Sequence, residues 1–106
     1  MLAATSHLPH ALAYSLVDTL ARMDDSEEIF RFAAGGFRDF TRIASSDPLM
    51  WRDICLANRD ALLDRLDRFT DGLAELRRQL EARNGDGLMN LFARAKATRD
   101  RMIKRT

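Results

Sequence analysis

The chain has 106 residues, 46% of them apolar and 31% charged, with 17 basic and 16 acidic side chains and a formal charge of +1. That length holds one modest core, the balance is that of a folded globular domain, and near-neutrality removes the field that would draw nucleic acid or an anionic membrane. No apolar run approaches the roughly 18 residues that span a bilayer, and the single cysteine, Cys55, excludes an internal disulfide; the sequence reads as a cytoplasmic protein with no membrane partner.

Apolar residues recur at intervals of three and four along nearly the whole chain while strand signals are weak, which predicts an all-α domain of about five helices. Pro9 suits a first helical turn, where its missing N–H is not needed, and Leu12, Leu16, Val17 and Leu20 then form one face to about Met23. Asp24, Asp25 and Ser26 offer capping oxygens for a short second helix carrying Ile29, Phe30 and Ala33, which Gly35-Gly36 terminates. Asp47-Pro48 repeats the combination of cap and proline, so another helix begins at Pro48 and passes through Trp51 and Ile54. Asn58 either caps a fresh start or marks a bend. From there Leu62, Leu66, Phe69, Leu73, Leu76 and Leu80 are spaced alternately by four and three, the pattern of a helix-packing seam. Asn84-Gly85-Asp86-Gly87 is the clearest turn, and Leu88, Leu91, Phe92, Ala95 and Met102 mark a last helix that folds back on the seam as a long antiparallel hairpin. Between Arg94 and Arg105 stand six basic residues and one acid, Asp100; these cations complement the C-terminal end of the helix dipole.

The residues able to carry chemistry lie before position 52. His7 and His10 stand three apart across a helix start, so both imidazoles can face one site and bind an anionic or carbonyl-bearing ligand. A zinc site there would have to borrow carboxylates, since the chain has no further histidine and one cysteine, and no metal is expected. Against the ligand reading stands a plainer one, in which one histidine helps to cap the helix and the other is incidental. Gly35-Gly36 before an arginine-rich helix resembles an anion-binding start, or is simply a turn; the third glycine and the strand of a dinucleotide fingerprint are absent. Arg38 and Arg42 share a helical face, and Asp39 stands three residues before Arg42, close enough to hold it for a carboxylate substrate or to pair with it on the surface. Trp51 offers a flat wall with an indole N–H, or core filling. The leucine seam is internal packing, an interface between chains, or both, and Cys55 reads as an inert buried thiol.

Taken together, Ser6-His7-Leu8-Pro9-His10 and the unbroken run Gly35-Gly36-Phe37-Arg38-Asp39-Phe40-Thr41-Arg42-Ile43-Ala44-Ser45-Ser46-Asp47-Pro48-Leu49-Met50-Trp51 closely resemble the C-terminal domain of the prephenate dehydrogenase family, the oxidoreductases of tyrosine biosynthesis. The resemblance covers essentially the whole chain. It implies an all-helical substrate-binding and dimerisation domain over residues 1–106, forming a homodimer and closing one side of a cleft. The other side would be an NAD(P)-binding Rossmann domain lying outside this chain. The implied reaction is the oxidative decarboxylation of prephenate, or of arogenate in some members.

By the same resemblance His10 and the backbone at Gly35 contact the substrate side chain, Arg42 pairs with a carboxylate, Ser6, His7 and Asp39 shape the site, and Trp51 lines it. No catalytic or cofactor-binding residue is expected in this chain, because the histidine that assists hydride transfer belongs to the missing upstream part; NAD or NADP would be held there. Tyrosine, which shares the product ring and carries a carboxylate, is a candidate competitor. A different class of function is a stand-alone helical module that self-associates through Leu62–Leu80 or binds an aromatic ligand as a regulator. The clustering of His, Gly, Arg and Trp away from the seam favours the dehydrogenase reading.

Overall fold

The computed structural model describes residues 2–104, with side chains as far as Met102; Met1, Arg105 and Thr106, and with Arg105 the end of the basic stretch, lie outside the described residues. Within that range the chain forms six α-helices and no strand: α1 (Leu8–Ala21), α2 (Ser26–Arg31), α3 (Gly35–Thr41), α4 (Pro48–Ala57), α5 (Arg59–Glu81) and α6 (Gly85–Lys104). Two compact units divide it, Met1–Leu66 and Asp67–Thr106, with the boundary inside α5.

In the first unit the helical path begins earlier than Pro9 predicts. A π-helical turn over Ala3–His7 precedes α1, and the Leu8 N–H donates to the Ala3 carbonyl five residues back. Proline explains the widening, since its ring clashes with the carbonyl four residues before it and it offers no N–H to that carbonyl, so a regular α-turn is disfavoured there. α1 then packs against α2, α3 and the 3₁₀ turn Arg42–Ser45 that follows α3. Ala3 and Ala13 are the only fully buried residues among those described, and Leu12, Val17 and Leu20 are half-buried.

The glycine pair departs from expectation. α2 already ends at Arg31, and Gly35-Gly36 forms the first turn of α3 with negative φ at both residues, so neither supplies a left-handed terminus. A Cβ added at Gly35 or Gly36 would meet open space, so the pair does not serve close approach of another part of the chain. α2 and α3 are instead joined by Phe30 and Phe37, whose ring centroids lie 6.0 Å apart. α4 begins as its sequence predicts. Asp47 Oδ1 accepts from the Leu49 N–H at 3.1 Å, Pro48 occupies the first helical position, and Trp51 is thereby fixed one turn into the helix.

The second unit is the predicted hairpin, closed by a different device. Arg83, not a glycine, adopts the left-handed conformation at φ 53°. Its N–H donates to the Leu80 carbonyl at 3.1 Å and that of Asn84 to the Gln79 carbonyl at 2.9 Å, the paired bonds of a Schellman terminus. Asn84 then caps α6, its Oδ1 accepting from the Gly87 N–H at 2.9 Å. The glycines expected in the turn therefore belong to the first turn of α6. At Gly87 a Cβ would press on the side-chain amides of Gln79 on α5 and of Asn84, whose flexible ends would have to move aside. Seam residues remain open in this unit, with Leu73 49% and Leu80 57% exposed on α5, and Phe92 56% and Met102 60% exposed on α6.

Candidate functional site

Two elements of the first unit build the site. α1 and its π-helical entry carry Ser6, His7, His10 and Tyr14; α4 carries Trp51, and Asn58 follows at its end. His10 stacks on Trp51 with ring centroids 3.7 Å apart and planes inclined by 16°. His7 meets the same indole edge to face, at 6.1 Å and 78°. One turn before His10, the Ser6 carbonyl lies 2.9 Å from His10 Nδ1 and fixes the rotation of that ring. Spacing alone left open whether the two imidazoles share a site; the structure brings both onto one tryptophan, with the Ser6 carbonyl against His10.

Trp51 is half-buried, with His10 stacked on its ring. The indole Nε1 is shut away from solvent with no hydrogen-bond partner among the described residues, so the donor envisaged from sequence is not presented to the open site. An unpaired buried N–H costs about 1–3 kcal/mol, which marks Trp51 as a residue held by stacking rather than by polar satisfaction. Beside it lies a hollow of about 260 Å³ lined by Ala11, Tyr14, Pro48, Trp51, Arg52 and Cys55. Cys55 is accordingly half-buried on the wall of that hollow, not sealed in a core.

The remaining predicted residues lie on α3 and the turn after it. Gly35, Asp39 and Arg42 are all exposed, and no described contact ties them to the ring cluster. Asp39 makes no ion pair with Arg38 or Arg42 among the described residues, so the Arg42 guanidinium is not neutralised by its neighbour. Its turn is nevertheless anchored to α1, because Tyr14 donates through its hydroxyl to the Ser46 carbonyl at 2.7 Å. Thr41 Oγ1 closes the end of α3 on the Phe37 carbonyl at 2.8 Å.

Tyr14 and Asn58 were not singled out from sequence as site residues. Tyr14 was detectable in principle, since it stands four residues after His10 on the same face of α1. Asn58 was not. Its Nδ2 lies 3.3 Å from His7 Nδ1 across 51 residues of chain, a juxtaposition that no local pattern encodes. No group of three or more His, Cys, Asp or Glu able to hold a metal occurs among the described residues, and no described helix is long and apolar enough to cross a membrane.

Residues 1–94 match the family model described as prephenate dehydrogenase, dimerization domain. The chain belongs to that family. It is 46% identical over 99 residues to the prephenate dehydrogenase of Bacillus subtilis, a match covering 90% of this chain and 26% of the relative. It is 42% identical to the cyclohexadienyl dehydrogenase of Zymomonas mobilis, over 93% of this chain and 34% of that protein. Among solved structures it resembles the prephenate dehydrogenase of A. aeolicus in complex with hydroxyphenyl propionate and NAD+, with a TM-score of 0.87 and 39% identity over 95% of this chain and 36% of that one. Synechocystis arogenate dehydrogenase gives a TM-score of 0.89 at 25% identity, over 95% of this chain and 37% of the other. The chain thus spans about a quarter to a third of the length of the curated relatives it matches. As a prephenate dehydrogenase dimerization domain it has the expected all-helical architecture, and the exposed seam of its second unit is the kind of surface that a dimerisation domain covers with a partner.

Proposed function

We propose that this chain is the substrate-binding and homodimerising part, residues 1–106, of a cytoplasmic oxidoreductase that oxidatively decarboxylates prephenate or arogenate in tyrosine biosynthesis. The observation that carries the reading is the stack of His10 on Trp51, with His7 on the same indole and Ser6 orienting His10. A preset wall of rings suits a planar or cyclic ligand, and exposed, un-neutralised Arg42 suits its carboxylate. Hydroxyphenyl propionate, present in the A. aeolicus complex, has both parts. Gly35 contributes backbone with open space above it, and Asp39 and His7 shape the approach.

The reaction uses NAD or NADP, which accepts the hydride and is held by a separate cofactor-binding domain. A dinucleotide turn needs a strand feeding a glycine-rich loop, whereas Gly35-Gly36 follows α2 and the link Phe32–Ala34. The work of this chain is therefore binding and orientation of the substrate, with tyrosine as a competing ligand at the same place.

The test is Arg42→Ala in the complete dehydrogenase that contains this domain. Loss of a charge-assisted hydrogen bond worth about 1.5–3 kcal/mol should raise KM for the substrate roughly ten- to hundredfold with little change in kcat. An unchanged KM in a stably folded variant would remove Arg42 from the site.

A further inference from the structure

We propose that Asn58 is a positioning residue that holds the neutral His7 ring in its Nε2–H tautomer, giving the two imidazoles beside Trp51 opposite hydrogen-bonding polarity. Asn58 sits at the break between α4 and α5, with φ −121° and ψ 36°, and its Nδ2 reaches His7 Nδ1 at 3.3 Å in a half-buried setting. An amide NH₂ donates and has no lone pair to offer, so His7 Nδ1 must accept. The ring proton of neutral His7 is thereby left on Nε2, as a donor. His10 is fixed the other way. Its Nδ1 lies 2.9 Å from the Ser6 carbonyl oxygen, which accepts only, so Nδ1 carries the proton and Nε2 keeps its lone pair.

Both ring planes are held by Trp51, one stacked at 16° and one edge-on at 78°, so the choice of tautomer is also a choice of which direction offers a donor. The pair presents one donor, His7 Nε2–H, and one acceptor, His10 Nε2. That complement selects a ligand bearing both an accepting oxygen and a donating hydroxyl over one bearing either alone. This consequence for recognition rests on the substrate-site reading above; the tautomers themselves do not.

Long-range ¹H–¹⁵N correlation spectra of the histidine-labelled chain, taken where both rings are neutral, read the tautomers directly. His7 is expected to be protonated at Nε2 and His10 at Nδ1. Asn58→Asp, which replaces a donor by an acceptor of the same size, should move the His7 proton to Nδ1, and Asn58→Leu should leave His7 a mixture. His10 should keep its pattern in both, reporting that α1 is intact. A native His7 protonated at Nδ1, or a His7 pattern identical in all three proteins, overturns the assignment; if neither variant folds, the native spectrum decides alone. Wrong tautomers with KM still sensitive to Arg42 would sink the Asn58 assignment only, whereas the expected tautomers with KM indifferent to Arg42 would sink the substrate reading only.

Discussion

Both units carry exposed ion pairs within a helical turn, but they differ in how far their other contacts reach along the sequence. In the first, polar and aromatic contacts reach across long stretches of sequence: Tyr14 to Ser46, His7 to Asn58, and both histidines to Trp51. In the second, the described ion pairs stay within one helical turn, Arg78 with Glu75, Arg77 with Glu81 and Lys96 with Asp100, all exposed and each worth under about 1 kcal/mol. Its apolar side chains, which should supply most of the stabilisation, are left half open to water. A region whose contacts reach far along the chain can shape a ligand site, while the regular leucine seam of the second unit leaves an apolar helical face open to a partner.

The sharpest way to break that contrast is Leu73→Asp. Covering a leucine removes about 1.5–3 kcal/mol of unfavourable hydration, and a two-fold interface counts it twice, so the substitution should weaken self-association about a thousandfold. Sedimentation equilibrium checks this; an unaltered dimer would show that the seam is not the interface. In the first unit Trp51→Ala removes the platform for both histidines and should cost about 2–3 kcal/mol in thermal or denaturant unfolding while leaving assembly through the second unit in place. Smaller again, Tyr14→Phe loses the bond that ties the Arg42 turn to α1. About 1 kcal/mol, or roughly 5 °C in Tm, is expected; no change would mean that the Ser46 carbonyl is satisfied without it.

Two further changes probe the second unit locally. Arg83→Gly relieves a side chain held at positive φ and should stabilise the hairpin by about 0.5–1 kcal/mol, read as a raised unfolding midpoint; a lowered midpoint would mean that the Arg83 side chain contributes more than its backbone costs. The weakest effect concerns pH. Hydrogen bonds from Gln79 and Arg78, with help from the Arg78 and Arg94 charges, hold the Glu75 carboxyl below its ordinary value. A lowered folded-state pKa contributes stability above the unfolded value and loses it as pH falls through the folded one. Acidification below the usual glutamate range should therefore slightly loosen the α5–α6 hairpin, and Glu75→Gln should flatten that dependence. A profile unchanged by Glu75→Gln would remove this carboxyl as its source.

Local signals were reliable where the physics is local. Asp47-Pro48 started α4 because one carboxylate can satisfy an orphan N–H two residues on, and Leu62 to Leu80 lay along one helix because apolar spacing records one face. The family resemblance likewise rested on short contiguous wording, and the matched model covers nearly all of it. At Gly35-Gly36 and across Asn84–Gly87 glycine does not mark a helix end; these glycines lie in the first turn of the helix that follows. Arg83 carries the left-handed conformation because two Schellman bonds at the end of α5 offset its strain.

Sequence by itself determined that the chain is helical, that Asp47-Pro48 starts a helix and which residue types are available for binding, since these depend on propensities and spacings within a few turns. Only the tertiary structure decided that Trp51 would meet both histidines, that its indole N–H would be buried, and that Asn58 would reach His7. Those contacts join residues 41 to 51 positions apart, and nothing in a 3.6-residue period specifies which distant side chain closes on which.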